Sequence, residues 1–138
     1  MSTQQIISAT QPSDTLRHII GNIEYDHLFI LTDEHTALHC LPLLTQDTLF
    51  AEAHHITIPP GDNHKHLNTL THVWEQLCIQ GATRHSLLIN VGGGMVTDLG
   101  GFAAATYKRG IRCINIPTTL LAMVDAAVGG KTGINFHS

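Results

Sequence analysis

The sequence predicts an α/β fold, a parallel sheet with helices on its faces. Three observations point there. Short apolar runs rich in β-branched residues alternate with stretches of helical periodicity, which is the order of a strand–helix repeat. Each apolar run ends in polar or glycine-rich residues, and parallel sheets bind ligands at the carboxyl ends of their strands. The third run, "SLLINV", passes directly into Gly92-Gly93-Gly94.

The elements follow in order. "HLFILTD", His27 to Asp33, is a buried strand that closes on a polar turn. Residues Thr36 to Ala53 are mixed, and Pro42 breaks them. "HHITIPPG", His54 to Gly61, is a short strand stopped by two prolines. From His64 to Gln80 the period changes: Leu67, Leu70, Val73, Trp74, Leu77 and Cys78 form one helical face, and Gly81 is a C-cap. Ser86 to Val91 is the third strand. Val96 to Lys108 is a helix whose small residues, Gly100, Gly101, Ala103, Ala104 and Ala105, let it lie close to a sheet. Gly110 ends it, and Ile111 to Pro117 is the fourth strand. "TTLLAMVDAAV" forms a further helix before a Gly-Gly turn.

Composition narrows the function. A chain of 138 residues is enough for one core of ordinary size. A net charge of −4 with seven scattered cations excludes a general nucleic-acid binder, which needs Lys and Arg against phosphates. Cys40, Cys78 and Cys113 are odd in number and widely spaced, so free thiols in a reducing compartment are expected. "MSTQQIISATQPSDT" has no basic and then apolar region of a signal peptide. No apolar run nears the roughly 20 residues that span a bilayer. The expectation is a soluble, cytoplasmic chain without membrane partners.

Four motifs invite chemistry. Glycines between a strand and a helix let the backbone approach a pyrophosphate, and the helix N-terminus attracts anions. The same glycines also suit a tight turn with close helix packing. The dinucleotide pattern G-x-G-x-x-G is not met, because Thr97 stands at the third glycine and Pro117 follows the next strand where a ribose-binding acid belongs. Asp98 serves either the helix dipole or a ligand. Thr118 or Thr119 serves either as an N-cap or as a ligand contact. "GGKTG" is not a P-loop, since Asp125 occupies the place of its first glycine, yet Lys131 remains a candidate partner for phosphate or carboxylate. The eleven histidines form no HExxH or Cys/His framework, so surface and turn roles are expected and no metal ligand is assigned.

The run "GGGMVTDLGGFAAATYKRGIRCINIPTTLLAMVDAAVGGKTGIN", with weaker matches at "IPPGDNHK" and "ILTDEH", resembles the signature region of the 3-dehydroquinate synthase family of sugar-phosphate cyclases. The resemblance implies a Rossmann-like parallel sheet with helices on both faces, the family's N-terminal NAD-binding domain, here residues 1–138. It implies a homodimer, and a C-terminal domain with zinc (or cobalt) ligands, a Glu and two His, which this chain lacks. The family converts 3-deoxy-D-arabino-heptulosonate 7-phosphate to 3-dehydroquinate and phosphate in the shikimate pathway. Carried over, the cofactor-binding residues are Asp33 for the adenosine ribose, His35 where the family often has Asn, Asp62 (in place of Glu) and Lys65, the turn Gly93, Gly94, Met95 and Asp98, and the loop Thr118, Thr119 and Leu121. Asp125, facing nicotinamide and substrate, and Lys131, touching substrate, are the catalytic candidates. Ala126 and Ala127 stand where many members have serines. The chain alone is expected to bind NAD weakly or not at all, to turn nothing over, and to leave Lys131 exposed. Alternatives are another sugar-phosphate cyclase, an NAD- and metal-dependent polyol dehydrogenase, or a non-catalytic dimerisation domain.

Overall fold

The computed structural model describes residues 12–59 and 66–118. Its elements are α1 (Pro12–Ile20), β1 (Leu28–Asp33), α2 (Glu34–His39), α3 (Leu41–Leu44), α4 (Thr48–Ala51), β2 (His54–Ile58), α5 (His66–Ile79), β3 (Leu87–Val91), α6 (Gly94–Thr106), a 3₁₀ turn (Tyr107–Arg109) and β4 (Arg112–Ile116). The four strands form one parallel sheet in the order β2-β1-β3-β4.

Side chains alternate across the sheet, so each face takes its own core. Phe29 and Leu31 of β1, Ile56 and Ile58 of β2 and Leu88 of β3 meet Leu70, Val73 and Leu77 of α5 and Val96, Ala103 and Ala104 of α6. Leu28, Ile30, Leu87, Ile89, Val91 and Ile116 meet Leu16 and Ile20 of α1, Leu44 of α3 and Phe50 of α4 on the other face. Strands buried on both faces read as continuous apolar runs, which is what "LFIL" and "LLINV" are. The sheet is therefore parallel and covered on both faces, as the sequence predicts.

The segment expected to be mixed resolves into three short helices. Asp33 caps α2 and Asp47 caps α4, with Asp47 Oδ1 accepting from the Leu49 amide at 2.8 Å. Pro42 sits in the first turn of α3, where its missing N–H costs nothing. Helix α1 was not anticipated. Its signals are present all the same: Pro12 at the start, Asp14 in the first turn, Arg17 and His18 in the last, and Leu16 and Ile20 on one face. Arg17 grips Asp47 through two parallel bonds, Nε to Oδ2 at 2.8 Å and a terminal nitrogen to Oδ1 at 2.6 Å, tying α1 to α4.

Helix α5 ends as expected. Gly81 has φ +88, and the Gly81 and Ala82 amides return to the Cys78 and Leu77 carbonyls at 3.1 and 2.8 Å. This is a Schellman cap, which favours glycine. Two residues of the expected apolar face do not join the core: Leu67 is 72% exposed and Cys78 is exposed. Trp74 packs against the core edge and donates its indole N–H to Thr106 Oγ1 at 3.0 Å.

Helix α6 begins and ends two residues earlier than its sequence pattern suggests. Gly94 supplies the first turn, and the chain leaves the helix at Tyr107. Lys108 (φ 46) and Arg109 (φ 69) are consecutive non-glycine residues in the left-handed region, followed by Gly110 at φ 108. Most of the expected helix after Thr118, and the first 11 residues, lie outside the described residues.

Candidate functional site

From β1 the chain turns to the edge strand β2, and from β3 it turns to the opposite edge, β4. The carboxyl ends of β1 and β3 therefore flank the point where strand order reverses. That is where open α/β sheets leave a crevice for ligands. Asp33 ends β1, and Gly92-Gly93-Gly94 follows β3.

Asp33 is held by a reciprocal capping box. Its Oδ1 accepts from the Thr36 amide at 2.7 Å, and its own amide donates to Thr36 Oγ1 at 3.0 Å. The carboxylate is fixed through one oxygen, and Oδ2 makes no hydrogen bond among the described residues. His35 is exposed on α2, its ring 4.5 Å from that of His39.

The three glycines divide by purpose. A Cβ at Gly92 would lie 2.7 Å from both Cβ and Cγ2 of Val96, so packing demands glycine there. At Gly93 and Gly94 a Cβ would meet nothing within 4 Å, and Gly93 has an ordinary φ of −81. Neither packing among the described residues nor backbone conformation asks for glycine at these two positions. Gly93 is the N-cap of α6 and offers no side chain to its free N–H groups. Thr97 Oγ1 instead donates back to the Gly93 and Gly94 carbonyls, each at 3.2 Å. Among the described residues the N-terminus of this 13-residue helix, with its amides and the positive end of its dipole, is uncapped.

Asp98 is exposed in the second turn of α6, beyond the first turn where a helix dipole acts strongly. With Gly94, Met95, Leu99 and Phe102 it lines a groove of about 680 Å³, whose other wall is Leu67 and Leu70 of α5. This apolar wall, with Phe102 55% exposed, had no signal in the small-residue pattern of α6. Thr118 follows β4 at the same end of the sheet and is half-buried. The structure thus gathers Asp33, Gly93, Gly94, Met95, Asp98 and Thr118 at the carboxyl ends of the strands. Asp62, Lys65, Thr119, Leu121, Asp125 and Lys131 lie outside the described residues.

One residue beneath the turn was missed. Asn90 of β3 is fully buried, and its Nδ2 donates to Asn115 Oδ1 of β4 at 2.9 Å. The signal is a lone amide in an otherwise apolar strand. The neighbouring Cys113 thiol is pushed up by burial, against a smaller opposing pull from the Asn90 amide. Among the described residues, no three His, Cys, Asp or Glu side chains converge to hold a metal. None of the described helices is long and apolar enough to cross a membrane.

The family profile described as "3-dehydroquinate synthase N-terminal" matches residues 55–138. The chain belongs to this family. A 3-dehydroquinate synthase of Parabacteroides distasonis is 50% identical over 137 residues, which is 99% of this chain and 39% of that protein. One from Pyrococcus furiosus is 56% identical over 82 residues, 59% of this chain and 24% of that protein. This chain therefore spans well under half the length of these 3-dehydroquinate synthases. Among solved structures, a 2-deoxy-scyllo-inosose synthase aligns with TM-score 0.66 and 28% identity over 81% of this chain and 32% of its own. The same enzyme complexed with carbaglucose-6-phosphate, NAD+ and Co2+ aligns with TM-score 0.65 and 27% identity, over 75% and 30%.

Proposed function

We propose that this chain is the NAD-binding N-terminal domain of a 3-dehydroquinate synthase, the enzyme that makes 3-dehydroquinate and phosphate from 3-deoxy-D-arabino-heptulosonate 7-phosphate in the shikimate pathway. The observation that carries the NAD reading is the open space over Gly93 and Gly94 at the uncapped N-terminus of α6, beside the strand-order reversal.

The residues present fit the cofactor. The α6 amides at Gly94 and Met95 hold the pyrophosphate, and the missing Cβ atoms admit it. Asp33, pinned through Oδ1, offers Oδ2 to a ribose hydroxyl. Asp98 offers a second carboxylate beside an apolar wall suited to a flat ring. When bound, NAD supplies a hydride acceptor for a substrate hydroxyl and returns the hydride within the same turnover. By the family resemblance, His35, Asp62, Lys65, Thr118, Thr119 and Leu121 would serve the cofactor, and Asp125 and Lys131 the substrate. Zinc or cobalt belongs to a metal-binding domain outside residues 1–138.

The full-length enzyme is a cytoplasmic homodimer acting on a sugar phosphate. Three free cysteines suit a reducing compartment. The 138-residue chain alone is inactive, because half of the cleft is elsewhere. A second reading, another sugar-phosphate cyclase, is supported by the structural likeness to 2-deoxy-scyllo-inosose synthase.

An NAD+ titration of the ¹⁵N-labelled chain, followed by amide NMR into the millimolar range, tests the cofactor reading. Shifts gathered at Gly93, Gly94, Met95 and Asp98 are expected. A spectrum unmoved at those amides, in this chain and in the full-length protein alike, would refute it. A phosphate-release assay with the heptulosonate phosphate should show no turnover by this chain, and turnover would overturn its assignment as an incomplete enzyme.

A further inference from the structure

Asn90 stands two residues before Gly92, in a strand whose other members, Leu87, Leu88, Ile89 and Val91, are fully buried and apolar. Its amide is fully buried and half satisfied. Nδ2 reaches Asn115 Oδ1, its register partner on β4, while Oδ1 has no hydrogen-bond partner among the described residues. An unpaired buried polar group is costly, and an apolar side chain of the same shape would avoid that cost.

What lies over this end of the amide is Gly100 of α6. A Cβ there would sit 2.0 Å from Oδ1, 2.3 Å from Cγ and 2.7 Å from Nδ2 of Asn90. Helix α6 can rest at this height only because residue 100 is glycine, and it can sink no further because the amide is in the way. Gly101, next to it, meets nothing within 4 Å. The contact is specific to one residue pair and is not a general closeness of helix and sheet.

We propose that Asn90 is a positioning residue. Tied to β4 and wedged under Gly100, it sets the height of α6 over β3. It thereby sets where the amides of Gly93, Gly94 and Met95 point. This inference rests on the NAD reading of the site. A buried group that breaks the local rule for stability, placed under an anion-binding turn, is explained by what it positions.

The test uses Asn90→Leu, Gly100→Ala and the double variant Asn90→Ala/Gly100→Ala in the full chain. Thermal unfolding and amide-NMR titration with NAD+ are the readouts. Asn90→Leu keeps the branch at Cγ and removes the orphan but is larger than Asn, so it should press α6 away from β3 and NAD+ should bind about five- to tenfold more weakly. Gly100→Ala should lower both stability and affinity. Adding Asn90→Ala should restore stability, because the new methyl enters the space the amide leaves. Asn90→Leu binding NAD+ as tightly as wild type, or Gly100→Ala as stable as wild type, overturns the proposal. Wild type binding no NAD+, in this chain and in the full-length protein alike, overturns the reading of the site itself, and this inference with it.

Discussion

At the residue scale, adjacent glycines in one motif do different jobs, and substitution separates them. Gly92→Ala drives a methyl against Val96 at 2.7 Å, an overpacking that costs about 1–3 kcal/mol. Gly93→Ala meets no neighbour among the described residues but replaces an N-cap glycine, so stability should fall by no more than about 1 kcal/mol. The expected cost falls on the cofactor: the new methyl stands where the pyrophosphate approaches. Chemical denaturation and NAD+ titration of the two variants should therefore rank them in opposite orders, and a Gly93→Ala chain that keeps its affinity would remove the ligand argument for that glycine. Asp33 divides in a similar way. Asp33→Ala forfeits the cap of α2, about 1 kcal/mol, together with the ribose contact. Asp33→Asn keeps a capping oxygen and should remain near wild-type stability while binding NAD+ more weakly. Equal affinity of Asp33→Asn and wild type would confine Asp33 to capping.

At the element scale, the strands and the two long helices were legible because burial wrote them into the sequence. "LFIL" and "LLINV" are apolar throughout since both faces of the sheet are covered, and α5 carries a periodic face because only one side of it is. The short helices α2, α3 and α4 were not legible. Each is four to six residues long, too short for a period to show; α2 and α4 are set by the caps Asp33 and Asp47, and α3 has Pro42 in its first turn. The end of α6 was misjudged since Lys108 and Arg109 take left-handed conformations that favour glycine, so nothing in "YKRG" before Gly110 announces the break. In the site, the turn at Gly93 and Gly94 was readable, because glycine after a buried strand has few uses. Asn90 was not, because its role depends on Gly100, ten residues away, lying directly above it. The Gly81 cap yields a clean element-scale test. With φ +88 and no neighbour to strike, Gly81→Ala should cost about 1–2 kcal/mol by backbone strain alone. Denaturant unfolding with an unchanged m-value would check this, and a neutral substitution would show that the cap relaxes.

At the scale of the whole molecule, the amino ends of the strands and the α1 face are fastened by carboxylates, away from the proposed cofactor site at the carboxyl ends. Asp26, before β1, accepts from the hydroxyls of Thr83 and Ser86, before β3, with the Ser86 bond at 2.9 Å. Asp47 holds Arg17 across the α1–α4 contact. The Thr83 hydroxyl keeps the Asp26 carboxyl below its usual range, and the Arg17 guanidinium does the same for Asp47. A carboxyl depressed in the folded state binds its proton more readily when unfolded. The stability it contributes is therefore present above the unfolded value, about 3.9, and is lost as pH falls through the lower folded value. Both groups are near the surface, so each contribution is small and weakened by salt. The double variant Asp26→Asn/Asp47→Asn should be less stable than wild type at neutral pH, and the gap should narrow as pH falls from about 5 towards 2. Thermal unfolding across that range measures it. A gap that stays constant with pH would mean that these residues hold the fold through hydrogen-bond geometry alone, with no part played by their charge.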